Sequence, residues 1–299
     1  MDSSTIGTVA VVSPGHMGGA LGAALAAGGV RVVATVAGRS ARTARLAADA
    51  GLEMLPSLVD VVAAAELVLS VAPPGQAVAI AHELAAAARK SGSRPLVADL
   101  NAIAPATVDT VAAALRHADL DLVDGAISGP PPAPGSDTPR IYLAGPRAGE
   151  IAGLAWPGVD VRVIGDRLGS ASALKMCSAS VYKGLVALGT QAMLTAHHHG
   201  VLDQFLAELE LSGLGVNVPG SAAVAATKAD RYVPEMREIA STQAGAGLTP
   251  ALFEAMAEVW GAIAEGPLAG ADPETVDRSA PADQVVAGLL PRRAPTSAG

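Results

Sequence analysis

Thr8 to Val12 is a short burst of β-branched and small apolar residues that stops at Ser13-Pro14-Gly15, and the stretch from Met17 to Ala27 behind it is rich in Ala and Leu. A brief apolar run bounded by Gly and Pro predicts a buried strand, and the longer Ala/Leu stretch a helix. The alternation repeats. Apolar bursts recur at Val30 to Ala37, Leu67 to Ala72, Pro95 to Leu100, Leu122 to Ile127 and Ile141 to Ala144, with helical stretches at Ser40 to Ala50, Gln76 to Lys90 and Pro105 to Arg116. Strands alternating with helices predict a parallel sheet, and strands apolar at every position predict burial on both faces. Past Ile164 the bursts stop, and helices are predicted at Ser170 to His199, Leu202 to Leu211, Ala222 to Ala229, Glu235 to Ala246 and Pro250 to Ala264. The pattern predicts an α/β chain: a doubly wound parallel sheet over residues 1–167, an all-α domain over 168–290, and a flexible tail at 291–299.

The first helix of the second part has about 30 residues and a length of roughly 45 Å, more than a small helical domain covers by itself. Its largely apolar surface predicts a homodimer in which helical domains bury each other and share active sites.

The 299 residues carry 20 Lys and Arg against 28 Asp and Glu, a formal net charge of −8, which opposes binding to nucleic acid or an anionic membrane. Aromatics make up only 2%, too few for base-stacking platforms. The single cysteine, Cys177, makes neither an internal disulfide nor a structural zinc site and fits a reducing cytoplasm. The uncharged stretch Thr8 to Val30 is broken at Pro14-Gly15, is crowded with glycine and is preceded by Asp2, so neither a membrane span nor a secretory signal is expected. His197-His198-His199 is read as a helix end before Gly200, not as a metal site, because consecutive helical residues point 100° apart.

The turn after the first strand, Ser13-Pro14-Gly15-His16-Met17-Gly18, stands where a Rossmann-type fold carries G-x-G-x-x-G, with Ser13 in place of the first glycine. Two glycines alone also suit an ordinary βα turn. The residue expected to read the adenosine ribose, 21 positions after Gly18, is Arg39. An NAD site favours a carboxylate there, whereas Arg39, Ser40 and Arg42 suit a 2′-phosphate, so the predicted cofactor is NADP. Ala72 and Pro73, at the end of a later strand, are expected to complete the cofactor edge.

Four segments in order, Gly15 to Gly18, Asp99 to Pro105, Asp124 to Pro131 and Gly169 to Lys175, resemble the β-hydroxyacid dehydrogenase superfamily. That superfamily includes 6-phosphogluconate dehydrogenase and 3-hydroxyisobutyrate dehydrogenase and is related to imine reductases. The resemblance spans nearly the whole chain. Arg231 to Met236 and Gly247 to Pro250 look most like an uncharacterised 6-phosphogluconate dehydrogenase-like branch. The resemblance implies that Asn101 lies beside the nicotinamide and substrate, that Ser128 and Gly129 hold the substrate, and that Lys175 is the catalytic lysine. Pro130-Pro131-Pro132 departs from the family by removing backbone donors, and Ala179 stands where the family has a substrate-binding asparagine. Ser178 and Tyr182, on the helix face of Lys175, are candidates to replace that contact, with Tyr182 a second candidate for catalysis. Cys177 lies on another face and is expected to be a buried thiol, and Glu235 with Glu238 to form a solvated face.

These readings point to an NADP-dependent oxidoreductase acting on a small carbonyl or hydroxyacid substrate. The alternatives are an NADPH-dependent imine reductase and a non-catalytic NADP-binding sensor. The family position of Lys175 in imine reductases usually holds Asp or Tyr, and a sensor has no need of an ammonium there.

Overall fold

A computed structural model of the chain describes residues 6–213, 217–273 and 275–290; the expected tail at 291–299 lies outside them. The chain divides into two compact units, Met1–Met176 and Cys177–Gly299. The first runs β1 (Thr8–Val12), α1 (His16–Ala27), β2 (Arg31–Ala34), α2 (Ala41–Asp49), β3 (Glu53–Met54), α3 (Leu58–Ala64) and β4 (Leu67–Ser70). It continues through α4 (Ala77–Ser91), β5 (Leu96–Asp99), α5 (Pro105–Arg116), β6 (Leu122–Ser128), β7 (Arg140–Ala144), α6 (Ala148–Ala152) and β8 (Asp160–Gly165).

The eight strands form one sheet in the order β3-β2-β1-β4-β5-β6-β7-β8. Alternate strand residues feed two apolar layers. Val9 and Val11 pack with Leu21 and Leu25 of α1 and Ile151 of α6, while Ala10 and Val12 pack with Val61 of α3, Leu84 of α4 and Leu115 of α5. Helices on both faces explain why the strands are apolar throughout. The sheet departs from the all-parallel expectation at β7, which is antiparallel to β6. The Pro-rich segment 129–139 between them contains no crossover helix, so the chain turns straight back.

α7 (Ser170–His198) crosses from the first unit into the second. Its start is held by Asp124 of β6, whose carboxylate accepts from Ala171 N at 2.8 Å, Ser172 N at 3.1 Å and Ser172 Oγ at 2.6 Å. A carboxylate on these free N–H groups caps the helix and complements its dipole. At the other end the helix stops at His198, before Gly200 at φ +71°, in keeping with the reading of the histidine run as a helix end.

The second unit continues with α8 (Leu202–Leu211), α9 (Val218–Ala226), α10 (Ala229–Gly245), α11 (Ala251–Ile263) and α12 (Ala282–Leu289). Two helices begin earlier than predicted. Asn217 caps α9 by accepting from Gly220 N at 2.9 Å, which makes Pro219 a first-turn residue instead of a breaker. α10 runs through Pro234. A proline in a helix removes one backbone donor, and burial of Ala229 before it and Met236 after it carries the helix across. Trp260 of α11 is fully buried and meets Tyr232 of α10 edge to face at 5.3 Å.

Two further expectations are corrected. Cys177 is exposed, because it shares the outward face of α7 with Leu174, Val181, Leu185 and Leu188 at helical spacing. Glu235 is not on a solvated face: it pairs with Lys183 of α7, whose ammonium lies 4.6 Å from the centre of the Tyr232 ring. No helix among the described residues is long and apolar enough to cross a membrane.

Candidate functional site

β1, β4, β5 and β6 are neighbours in the sheet, and the strand order reverses between β1 and β4. Ligands of open α/β sheets bind at the carboxyl ends of strands beside such a reversal. The loop after β1 lies there. Ser13 takes φ +63°, Gly15 N donates to Ser13 O at 2.7 Å, and α1 begins at His16 with Gly15 as its N-cap. A Cβ on Gly18 would lie 2.7 Å from the Ser13 carbonyl oxygen, so the last glycine of the motif is required by the close approach of helix to loop. Of the other loop residues, Pro14 is buried, Met17 packs against the apolar layer of α1, and His16 is exposed.

Beside the loop is a cavity of about 130 Å³ lined by Val11, Ser13, Thr35, Arg39, Ser57 and Glu83, among others. Ser13 Oγ is buried and has no hydrogen-bond partner among the described residues. Arg39 stands in the cavity wall, after β2, at the place expected of a ribose-reading residue. Ser40 caps α2 by accepting from Thr43 N at 3.2 Å; Arg42 is exposed on that helix and does not line the cavity. An orphan hydroxyl, a guanidinium and a glycine-tight helix start suit a phosphorylated ribose and its pyrophosphate.

The loops after β4 and β5 are joined by Asn101. Its Nδ2 donates to Ser70 Oγ at 3.0 Å and to Asp99 Oδ2 at 2.8 Å, its Oδ1 accepts from Ala72 N at 2.6 Å, and its own N–H donates to Asp99 Oδ1 at 3.0 Å. Both amide hydrogens of Asn101 are thereby committed, and the side chain is only 2% exposed. Asn101 braces two loops at the sheet edge, and what it retains for a ligand is acceptor capacity at Oδ1. Ala72 contributes to the same brace through its backbone, and Pro73 is exposed beside it.

After β6, Ser128 is half-buried and Gly129 takes φ +115°, where a Cβ would meet Pro139 Cα at 3.1 Å. That position requires glycine on both counts. Lys175 is half-buried on α7, one turn past Ser172, the residue tied to Asp124. Burial lowers its pKa from the ordinary lysine value. Ser178 and Tyr182 follow on the same helix in the second unit, Ser178 half-buried and Tyr182 76% exposed.

The sequence pattern does not single out Thr35, Ser57 and Glu83 in the cavity wall, nor the group of Ser70, Asp99 and Asp124. One signal for that group is present in the sequence: an acidic residue inside an otherwise apolar strand, as at Asp99 and Asp124, is costly unless something pairs with it.

Residues 8–145 match the family described as the NAD binding domain of 6-phosphogluconate dehydrogenase, and residues 196–263 match a domain of unknown function, DUF1932. An uncharacterised 28.5 kDa protein of Methanothermus fervidus is 28% identical over 184 residues, 60% of this chain and 68% of that protein. The structure of a conserved hypothetical protein from Sinorhizobium meliloti 1021 is similar at 26% identity and a TM-score of 0.63, covering 96% of this chain and 98% of that one. The 3-hydroxyisobutyrate dehydrogenase of Mycobacterium tuberculosis, solved with L-serine, shares the fold at 20% identity and a TM-score of 0.66, covering 94% and 98%. With its glycine-bound helix start, its strand order and these matches, the segment 8–145 belongs to the 6-phosphogluconate dehydrogenase NAD-binding domain family, and it is followed at 196–263 by a DUF1932 domain.

Proposed function

We propose that this chain is an NADP-dependent oxidoreductase that moves a hydride between NADPH and a small carbonyl or hydroxyacid substrate. In this reading residues 1–167 form the dinucleotide domain and 168–290 the substrate and dimerisation domain, in a cytoplasmic homodimer with shared active sites. The observation that carries it is Lys175: a half-buried ammonium with a lowered pKa, one helical turn from an anchor on β6, the strand that ends at Ser128.

NADPH, when bound, supplies the hydride. Ser13, the backbone around Gly15 to Gly18, and Arg39 are assigned to the phosphates and ribose, with Ser40 and Arg42 as lesser contacts. Ser128 and the exposed backbone of Gly129 are assigned to the substrate's acidic group, with Ser178 as a further contact. Reduction of a carbonyl carbon leaves an alkoxide oxygen, and Lys175 Nζ donates the proton that neutralises it. A lysine whose pKa is drawn down by burial gives up and regains that proton more readily than a solvated one. In the oxidative direction the same amine takes the hydroxyl proton.

The test is NADPH oxidation over a panel of carbonyls, hydroxyacid precursors and imines with the unmutated chain, Lys175→Met and Tyr182→Phe. Lys175→Met keeps volume and helix propensity, so NADPH affinity should change little while turnover falls about 10²- to 10⁴-fold. Normal turnover in Lys175→Met with loss in Tyr182→Phe would transfer the proton role to Tyr182 and favour imine chemistry. NADPH binding without turnover of any panel member would favour a sensor.

A further inference from the structure

We propose that Asp99 is a positioning residue of the dinucleotide site: its ionised carboxylate holds Asn101 in the pose that fixes the backbone at Ala72. The proposal rests on the cofactor reading above, which puts the dinucleotide along the loops after β1 and β4.

Four hydrogen bonds define the device. Asp99 accepts from the backbone N–H of Asn101 and from its Nδ2, so both carboxylate oxygens are used. The other Nδ2 hydrogen goes to Ser70 Oγ, which leaves Asn101 Oδ1 turned toward Ala72 N at 2.6 Å. The orientation of the carboxamide is thus set by Asp99 and read out at Ala72, across two loops that touch the strand-order reversal.

A proton on Asp99 would break this arrangement. Oδ1 accepts from the backbone N–H of Asn101 and Oδ2 from its Nδ2, so a proton on Oδ2 replaces the charged acceptor of the carboxamide by a hydroxyl, which accepts far more weakly. If the carboxamide turns over to give its oxygen to the Asp99 O–H, its NH₂ group faces Ala72 N–H, and the brace is lost at that end instead.

The surroundings put this protonation within an accessible range. Asp99 is 3% exposed, and burial together with the charge of Asp124 pushes its carboxyl up to about 7 against the pull of its donors. Among the described residues the charged group that acts on it is Asp124 of β6, while β4 offers the neutral Ser70. α7 meets the pair at Asp124, through the N–H groups of Ala171 and Ser172 and the Ser172 hydroxyl. That set of donors pulls Asp124 toward its charged form, against the burial that raises its pKa.

The experiment is calorimetric titration of the full chain with NADP⁺ between pH 5.5 and 8.5, for the unmutated protein and Asp99→Asn. The cofactor's 2′-phosphate also titrates near pH 6, but it affects both proteins alike. The unmutated protein should lose about tenfold more affinity than Asp99→Asn as the pH falls, the scale of a lost hydrogen bond to a charged group. Asp99→Asn, which like the protonated acid cannot accept at both atoms, should bind weakly throughout. Coincident pH profiles, or Asp99→Asn binding as tightly as the unmutated chain at pH 8.5, would overturn the Asp99 role and leave the cofactor reading standing. Absence of NADP⁺ binding at every pH would remove both. Hydrogen exchange at the Ala72 amide of the unmutated chain is independent of variant folding. Its protection, corrected for intrinsic rates, should fall as the pH drops from 8 to 6, and constant protection overturns the proposal.

Discussion

Asp99 and Asp124 stand directly opposite each other on the parallel strands β5 and β6, 3% and 0% exposed, with the pKa of each raised chiefly by burial. One carboxyl braces the loops at the sheet edge and the other caps α7. Two carboxyls side by side in a low-dielectric interior are tolerated only because each is surrounded by donors.

Stability should therefore depend on pH in a direction opposite to that of a salt-bridged acid. The folded-state pKa of Asp99, about 7, lies above its unfolded value of 3.8, so the folded chain binds the extra proton between these limits. Its contribution is complete below about pH 4 and is lost as the pH rises through 7, and Asp124 acts in the same sense. Denaturant unfolding at pH 5 and pH 8 should show the unmutated chain losing stability relative to Asp99→Asn as the pH rises. Parallel behaviour of the two proteins would refute this.

Ser13 combines a left-handed backbone at φ +63° with a buried hydroxyl that has no partner among the described residues. Replacement by glycine relieves both costs, offset in part by the greater freedom of glycine in the unfolded chain, and should stabilise by about 1–2 kcal/mol. Ser13→Ala removes the orphan oxygen but keeps the strain, so it should stabilise less. Dinucleotide affinity should fall in both variants, because the hydroxyl is assigned to the ligand. Stabilisation with undiminished affinity would show that Ser13 makes no such contact.

Arg39 in the cavity wall should set cofactor preference. The unmutated chain should bind NADPH more tightly than NADH, and Arg39→Ala should erode the difference by about tenfold or more, the scale of a charge-assisted contact. Arg42 lies outside the lining, so Arg42→Ala should do less. Equal affinity of the unmutated chain for both cofactors would reject the NADP assignment.

The outward face of α7 carries Leu174, Val181, Leu185 and Leu188, with Leu188 61% exposed. A helix face so apolar predicts association with a second copy. Light scattering should give a dimer at micromolar concentration, and Leu185→Glu combined with Leu188→Glu should give a monomer. A monomeric unmutated chain at that concentration would rule the association out.

Local chemistry makes much of this protein legible in its amino-acid sequence. Apolar bursts between glycines and prolines mark β1, β4, β5 and β6, because a strand buried on both faces must be apolar throughout, and Gly18 announces a close helix start. Arg39 is placed by counting from that glycine, since strand and helix lengths between them vary little in such folds. The start of α9 at Asn217 and the passage of α10 through Pro234 escape the pattern, because capping and packing outweigh the breaking tendency of one proline. What no local pattern contains is which residues distant in the chain become neighbours. Asn101 reaching Ala72, Asp99 facing Asp124, and Lys183 meeting Glu235 are set by strand register and helix packing. Register and packing arise from the burial of whole faces, so the partner of each polar group, and with it each shifted pKa, is decided only by the tertiary structure.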